Sequence, residues 1–214
     1  MVLPKDSLIS PRSYPTGELG DNFGEKDPFE RFKEWFEYAI EQKVIEPDAL
    51  TLSTIGKSGV NARTLVLRGI SEKGLLIYTN YESNKAQEIE NNNNVAITFY
   101  WKEIYRQVRI KARATKTTQK QSDEYFASRP RGAQIGAWIS SQSKTLSSRG
   151  EMLEAYEKLD SISEDKIERP KFWGGYELIP YEWEFMLGHE NRLHDRFKFI
   201  VNPNGSFSSQ RLWP

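Results

Sequence analysis

The chain has 214 residues, with 30 Lys plus Arg balancing 30 Asp plus Glu, so it is the size of one large domain and lacks the basic excess that binding to a phosphate backbone draws on. It contains no cysteine and two histidines, His189 and His194, which excludes disulfides, thiolate nucleophiles, Cys zinc sites and three-His metal centres. Its longest apolar runs, Leu75 to Thr79 and Val95 to Trp101, are far shorter than the ~20 residues of a membrane span, and MVLPKDSLISPRSYP lacks a basic region leading into an apolar one. A soluble cytoplasmic protein is therefore expected, with no metal and neither nucleic acid nor membrane as partner.

Residues 1–26 are rich in Pro, Ser, Gly and charge without an apolar period, and read as a flexible arm ahead of one domain over 27–214. Asp27-Pro28-Phe29-Glu30 supplies an N-cap, a proline at the first helical position and an acidic residue at the capping-box position. A helix is predicted from there to near Lys43, with Phe29, Phe32, Phe36, Ala39 and Ile40 as its apolar stripe. Short β-branched or apolar runs follow at Ala49–Ile55, Ala62–Gly69 and Gly74–Asn80, separated by Gly-Lys-Ser-Gly and Ser-Glu-Lys-Gly turns. After a short helix over Ser83–Asn91, Val95–Trp101 and Tyr105–Thr117 read as a long hairpin. Its second strand alternates Val108, Ile110, Ala112 and Ala114 with Arg109, Lys111 and Arg113.

Helices are predicted at Thr118–Ser128 and Ser147–Leu159, then strands at Trp173–Ile179, Tyr181–Leu187, Asp195–Val201 and Ser206–Leu212. Many short strands with hairpin turns and few helices imply an α+β fold, a largely antiparallel barrel with peripheral helices. Gly174-Gly175 precedes a strand instead of joining strand to helix, so no Rossmann dinucleotide site is expected.

Arg63, Arg68 and Lys85 lie in or beside these elements. Each alone reads as an exposed strand-edge or helix-surface charge. With Ser83, Gln142 and Ser143 they could clamp a phosphate, since guanidinium and ammonium neutralise a dianion while hydroxyl and amide donors fill its remaining lone pairs. Tyr125-Phe126-Ala127-Ser128-Arg129-Pro130 and Gly136-Ala137-Trp138 are dense in aromatics, as helix ends docking on a barrel would be. In Arg192-Leu193-His194-Asp195-Arg196, strand alternation places Arg192, His194 and Arg196 on one face. That suits either a surface ion-pair cluster or an anionic ligand beside a histidine able to change charge near neutral pH.

The strings RTLVLRG, YTNYESNKA, FYWKEIYRQVRI, YFASRPRGAQIGAWISSQS, FWGGY, NRLHDRF and RLWP resemble, in order from about Asp27 to Pro214, the pyridoxamine 5′-phosphate oxidase family. The resemblance implies a split-barrel homodimer holding FMN at the subunit interface. It also implies oxidation of pyridoxamine or pyridoxine 5′-phosphate to pyridoxal 5′-phosphate, with O2 as acceptor and hydrogen peroxide released. Carried onto this chain, the FMN positions are Arg63, Thr64, Leu65, Val66, Leu67 and Arg68, then Tyr78, Thr79, Ser83, Asn84 and Lys85, then Gln107, Gln142, Ser143, Met186 and Arg196. The substrate positions are Arg68, Tyr125, Arg129, Ala133, Arg192 and His194, with Tyr14 of the arm helping to cover the ligand; Arg192 and His194 are the implied catalytic pair.

The chain departs from the family pattern in four places. Arg68 stands for a usual Lys, Asn84 for an Arg, Ala133 for a Ser, and Met186-Leu187-Gly188 for Trp-Gln-Gly. The loss of one phosphate cation at Asn84 predicts FMN binding weaker by roughly 1.5–3 kcal/mol. The departures keep open two alternatives: an FMN- or B6-phosphate-binding paralogue with little oxidase activity, and an FMN-dependent reductase acting on another substrate.

Overall fold

The structure is a computed structural model that describes residue 14 and residues 17–162 and 167–214. Its helices are α1 (Pro28–Glu41), α2 (Asn84–Asn91), α3 (Gln119–Ser128), α4 (Arg131–Ile139) and α5 (Arg149–Ile162). Its strands are β1 (Ala49–Gly56), β2 (Gly59–Val66), β3 (Gly69–Ile70), β4 (Leu75–Asn80), β5 (Asn94–Trp101), β6 (Arg106–Lys116), β7 (Trp173–Leu187), β8 (Asp195–Val201) and β9 (Phe207–Leu212). The sheet runs β2-β1-β5-β6-β7-β4-β3, with β8 pairing β7 and β9 pairing β8. The α+β class and the largely antiparallel split barrel with peripheral helices expected from the sequence are what the chain forms.

The chain packs as two compact units, one of residues up to Pro47 with Thr98–Ile110 and Tyr181–Pro214, the other of Asp48–Ile97 and Lys111–Pro180. In the first, α1 begins where Asp27 Oδ1 accepts from the N–H groups of Phe29 (2.8 Å) and Glu30 (3.2 Å), with Pro28 needing no donor partner at the first turn. The buried face is Pro28, Phe32, Trp35 and Ala39. Ile40, expected in the stripe, is 53% exposed; a face centred on Trp35 turns it toward water. Phe32, Phe99, Trp183, Phe185 and Phe199 form an aromatic core, and Arg106 lies 3.9 Å above the Tyr38 ring.

Residues 1–13 and 15–16 of the expected arm lie outside the described residues. The remainder of that stretch includes a 3-10 turn over Asp21–Glu25, with Leu19 and Phe23 buried.

The second unit contains the β1–β2 hairpin, in register from Ala49↔Val66 to Gly56↔Gly59. Strand β2 starts three residues before the expected Ala62 because Gly59, at φ +129°, closes a two-residue turn, a conformation glycine adopts without a steric penalty. β7 runs unbroken through Pro180, where a boundary was expected. Trp173–Leu178 pairs with β4 and Glu182–Leu187 with β8, so Pro180 falls in the gap between these two ladders.

Candidate functional site

In the second unit, the end of the β1–β2 hairpin and the start of α2 enclose a cavity of about 430 Å³. It is lined by Asn61, Ala62, Arg63, Thr64, Leu65, Asn84, Lys85, Glu88, Gln142 and Ser143. Helix α2 begins here because Ser83, fully buried, accepts from Ala86 N–H as N-cap. Lys85 therefore sits on the first turn, and its side chain is drawn inward.

The Lys85 Nζ donates to Gln142 Oε1 (2.6 Å), Thr79 Oγ1 (3.1 Å) and Ser83 Oγ (3.3 Å). No carboxylate is among these acceptors. Burial, reinforced by Arg63 and only partly opposed by Glu88, lowers the Lys85 pKa to about 8; desolvation disfavours the charged form unless an anion compensates.

Arg63 is held differently. Its Nη2 donates to Glu88 Oε2 (3.2 Å), while Nη1 bonds to Thr54 Oγ1 and Leu52 O. Glu88 also accepts from Thr54 (2.5 Å) and from Asn61 Nδ2 (2.6 Å). Burial alone would raise the Glu88 carboxyl, but these hydrogen bonds hold it below its ordinary range.

Of the residues expected to clamp a phosphate, Arg63, Lys85, Gln142 and Ser143 line this one cavity, together with Thr64, Leu65 and Asn84 from the other expected cofactor positions. Thr79 and Ser83 stand behind Lys85 as its acceptors. Val66, Leu67 and Arg68 are not among the lining residues; Leu67 is buried and its N–H bonds to Asp48 O. Glu88 and Asn61 are lining residues that the sequence reading missed. The available signal was the spacing of three between Lys85 and Glu88, which puts both on one face of α2.

A second cationic group lies in the same unit. Tyr78 and Tyr125 stack at 3.8 Å and 19°, and Trp173 lies nearly parallel to Tyr125, 5° and 6.1 Å away. Arg129 caps the indole, its guanidinium carbon 4.6 Å from the Trp173 centroid. Arg129 Nη1 is buried and makes no hydrogen bond, an uncommon state for a buried donor in a folded chain. Burial lowers the Arg129 pKa, Tyr125 works the other way, and nearby Arg68 lowers it further. Ala133, on the first turns of α4, offers only a methyl group in place of a hydroxyl donor.

In the first unit, Asn191 and Arg192 occupy a 3-10 turn with φ of +55° and +61°, and β8 starts only at Asp195. Strand alternation therefore does not place Arg192, His194 and Arg196 on one face, as the sequence reading had it. The left-handed turn interrupts the extended run. His194 Nδ1 accepts from His189 N–H at 3.0 Å, leaving Nε2 to carry the proton of the neutral ring. The Tyr14 ring lies 4.5 Å from the Tyr105 ring, tilted by 42°, and 6.3 Å from the His194 ring.

Asp195 joins His189 Nε2 (2.9 Å), Leu19 N–H (2.9 Å) and Arg211. Although burial would raise its pKa, these bonds hold the carboxylate below its usual range. Arg196 donates to Glu184 Oε1 (2.7 Å) and Trp213 O (2.9 Å), and Met186 is its cross-strand partner on β7. Gln107 is half-buried on β6. Among the described residues no group of three His, Asp or Glu side chains could hold a metal, and no helix is long and apolar enough to cross a membrane.

Residues 36–161 match the family model described as pyridoxamine 5′-phosphate oxidase, and residues 173–214 the one described as pyridoxine 5′-phosphate oxidase C-terminal dimerisation region. A pyridoxine/pyridoxamine 5′-phosphate oxidase of Rubrobacter xylanophilus is 44% identical over 190 residues, 88% of each chain. One of Cupriavidus necator is 39% identical over 204 residues, covering 95% of this chain and 96% of the relative. Among solved structures, PhzG from Burkholderia lata in complex with tetrahydrophenazine-1-carboxylic acid superposes with a TM-score of 0.83 at 26% identity, covering 88% of this chain and 93% of that one. A pyridoxamine 5′-phosphate oxidase-related, FMN binding protein from Nostoc punctiforme gives 0.71 at 20% identity, over 87% and 98%.

Proposed function

This chain belongs to the pyridoxamine 5′-phosphate oxidase family, and from that membership we propose that it oxidises pyridoxamine or pyridoxine 5′-phosphate to pyridoxal 5′-phosphate. O2 is the acceptor and H2O2 the second product; with the amine substrate, water releases ammonia. The working form is proposed to be a cytoplasmic FMN-holding homodimer joined through the C-terminal region. The carrying observation is that Lys85 and Arg129 are each partly desolvated cations whose neighbours leave charge for an anion to neutralise.

FMN, when bound, supplies the two-electron acceptor and its reoxidation by oxygen. The rest falls to side chains of this chain. Lys85, Arg63, Gln142, Ser143 and the Asn84 amide are proposed to hold the cofactor phosphate in the cavity that they line. Tyr78, Thr79, Gln107, Met186 and Arg196 are the proposed flanks of the flavin. Arg129, Arg68 and Tyr125 are proposed to grip the substrate phosphate, where a planar guanidinium gives two parallel donors to one anion. Arg192 and His194 would orient the pyridine and its 4′ substituent, His194 presenting the Nε2 proton that the Nδ1 contact with His189 fixes; Tyr14 beside it would cover the ligand.

The deciding experiment is an oxygen-electrode assay of the FMN-loaded protein with each B6 phosphate. Oxygen uptake that His194→Ala lowers by about a hundredfold or more, the lower end of the range for losing an acid–base group, supports the reading. Tight FMN binding without turnover of either phosphate would point to a carrier, and turnover of a different reductant to a reductase.

A further inference from the structure

Of the FWGGY string (residues 172–176), Trp173 lies against Tyr125 and Arg129 but has no role in the proposed function. Its strand position brings it beneath Arg129. The indole is 6% exposed, meets Phe126 edge-on at 5.3 Å and 70°, and is fixed at its backbone by Arg169 Nη1, which donates to Trp173 O at 2.5 Å. The two glycines that follow let neighbours close in. A Cβ on Gly174 would lie 2.2 Å from the Tyr81 hydroxyl, and one on Gly175 2.6 Å from Thr117 Oγ1 and 2.8 Å from the Tyr78 ring. Tyr78 can therefore lie against β7 and carry Tyr125 in the stack.

We propose that Trp173 is a positioning residue for phosphate recognition, an aromatic shelf that aims Arg129 while leaving its N–H donors for the ligand. A carboxylate in that place would fix the guanidinium equally well, but would accept its hydrogen bonds and offset its charge. An indole face stabilises a cation through its quadrupole and accepts no such bond. Nη1, buried on the protein side, bonds to no acceptor, so this edge of the guanidinium is held by the ring face and not by a hydrogen bond. The inference rests on the reading that Arg129 takes the substrate phosphate.

The test uses the FMN-loaded dimer with Trp173→Leu and Trp173→Phe. Steady-state kinetics with pyridoxamine 5′-phosphate are paired with equilibrium dialysis of pyridoxal 5′-phosphate and inhibition by inorganic phosphate. From the range of cation–π strengths, Trp173→Leu is expected to raise KM and both phosphate constants about tenfold with kcat near the parent value, and Trp173→Phe, which keeps a smaller ring face, about threefold.

Unchanged constants in a leucine variant with an intact flavin spectrum would overturn the proposal, as would a fall in kcat matching the rise in KM. If the leucine variant loses its flavin, the phenylalanine variant decides: a threefold rise supports the shelf and parental values refute it. A parent protein that binds pyridoxal 5′-phosphate without oxidising either substrate would defeat the oxidase reading alone, and the dialysis comparison would still test Trp173. A parent that binds neither pyridoxal 5′-phosphate nor phosphate would defeat both.

Discussion

Replacing Lys85 by Met probes the proposed cofactor clamp at its most buried charge. Lys85 is 8% exposed and bonded to two hydroxyls and an amide, so its ammonium reaches the cavity with its charge uncompensated by a carboxylate hydrogen bond. One charge-assisted bond contributes roughly 1.5–3 kcal/mol, so Lys85→Met should weaken FMN roughly tenfold to a hundredfold. The pH dependence is the sharper test. In the ligand-free protein the Lys85 pKa is lowered to about 8 by burial, then by Arg63.

A phosphate dianion binds the ammonium and not the amine, so FMN affinity should be nearly level below that pH and fall about tenfold per pH unit above it. Stability of the apoprotein should move the opposite way. Between about 8 and the unfolded-chain value near 10.5, the unfolded chain holds more protons than the native one, so raising pH stabilises the fold. Quenching of flavin fluorescence on titration of apoprotein, repeated across this range, measures the first slope, and urea unfolding the second. Comparison with Lys85→Met cancels any titration of FMN itself. An affinity that stays level to about pH 9.5, or a Lys85→Met protein with the parental slope, would refute the assignment of this cation to the phosphate.

Two further outcomes follow. Asn84 lines the cavity and its N–H meets Ser143 Oγ at 3.3 Å; Asn84→Arg should tighten FMN by about tenfold by adding a charge-assisted donor, measured by the same titration, and an unchanged constant would place position 84 outside the clamp. Gly174→Ala pushes a methyl against the Tyr81 hydroxyl and, at 2.9 Å, against Ser122 Oγ. Overpacking of this kind costs about 1–3 kcal/mol, read as a lower urea midpoint, whereas Gly136→Ala, inside α4 with nothing within 4 Å of the added Cβ, should raise the midpoint slightly, since alanine is favoured over glycine in a helix by about 0.5–1 kcal/mol.

Elements with strong local chemistry were legible in the sequence. Asp27-Pro28 starts α1 at the expected residue, and β8 keeps its expected bounds. What escaped depended on partners distant in sequence. The continuity of β7 through Pro180 rests on a switch between β4 and β8, which the proline itself does not announce. Ile40 fits the periodic stripe of α1, and only the packing of Trp35 against Phe185, at 5.2 Å, shows the helix rotated away from it. The turn at Asn191 and Arg192 has left-handed dihedrals at two non-glycine residues, which few sequence signals mark. For the site, residue types gave the cations, and the resemblance gave their grouping. Glu88 was passed over because an acidic residue on a short helix reads as solvated until Arg63, Thr54 and Asn61 converge on it.

How each cation is paired separates those poised for a ligand from those committed to the fold. Arg196 is bound to Glu184 and to the Trp213 carbonyl, and Arg211 to Asp195; a ligand meeting them adds to bonds already made. Arg63 is intermediate, since Glu88 takes one edge of its guanidinium while Arg63 also lines the cavity. A phosphate there must share Arg63 with a carboxylate held ionised by three donors. With Asn84 supplying no charge, the excess of cations over anions at the cavity wall is Arg63 plus Lys85 less Glu88, and the attraction for a dianion rests chiefly on Lys85. Arg129 is the counterpart at the proposed substrate-phosphate position. Its charge is supported by an indole face, and one of its donors is spent on nothing in the protein. Both groups carry a desolvation cost in the free protein that an anion would relieve, so binding energy at these two positions includes relief of that cost as well as new hydrogen bonds.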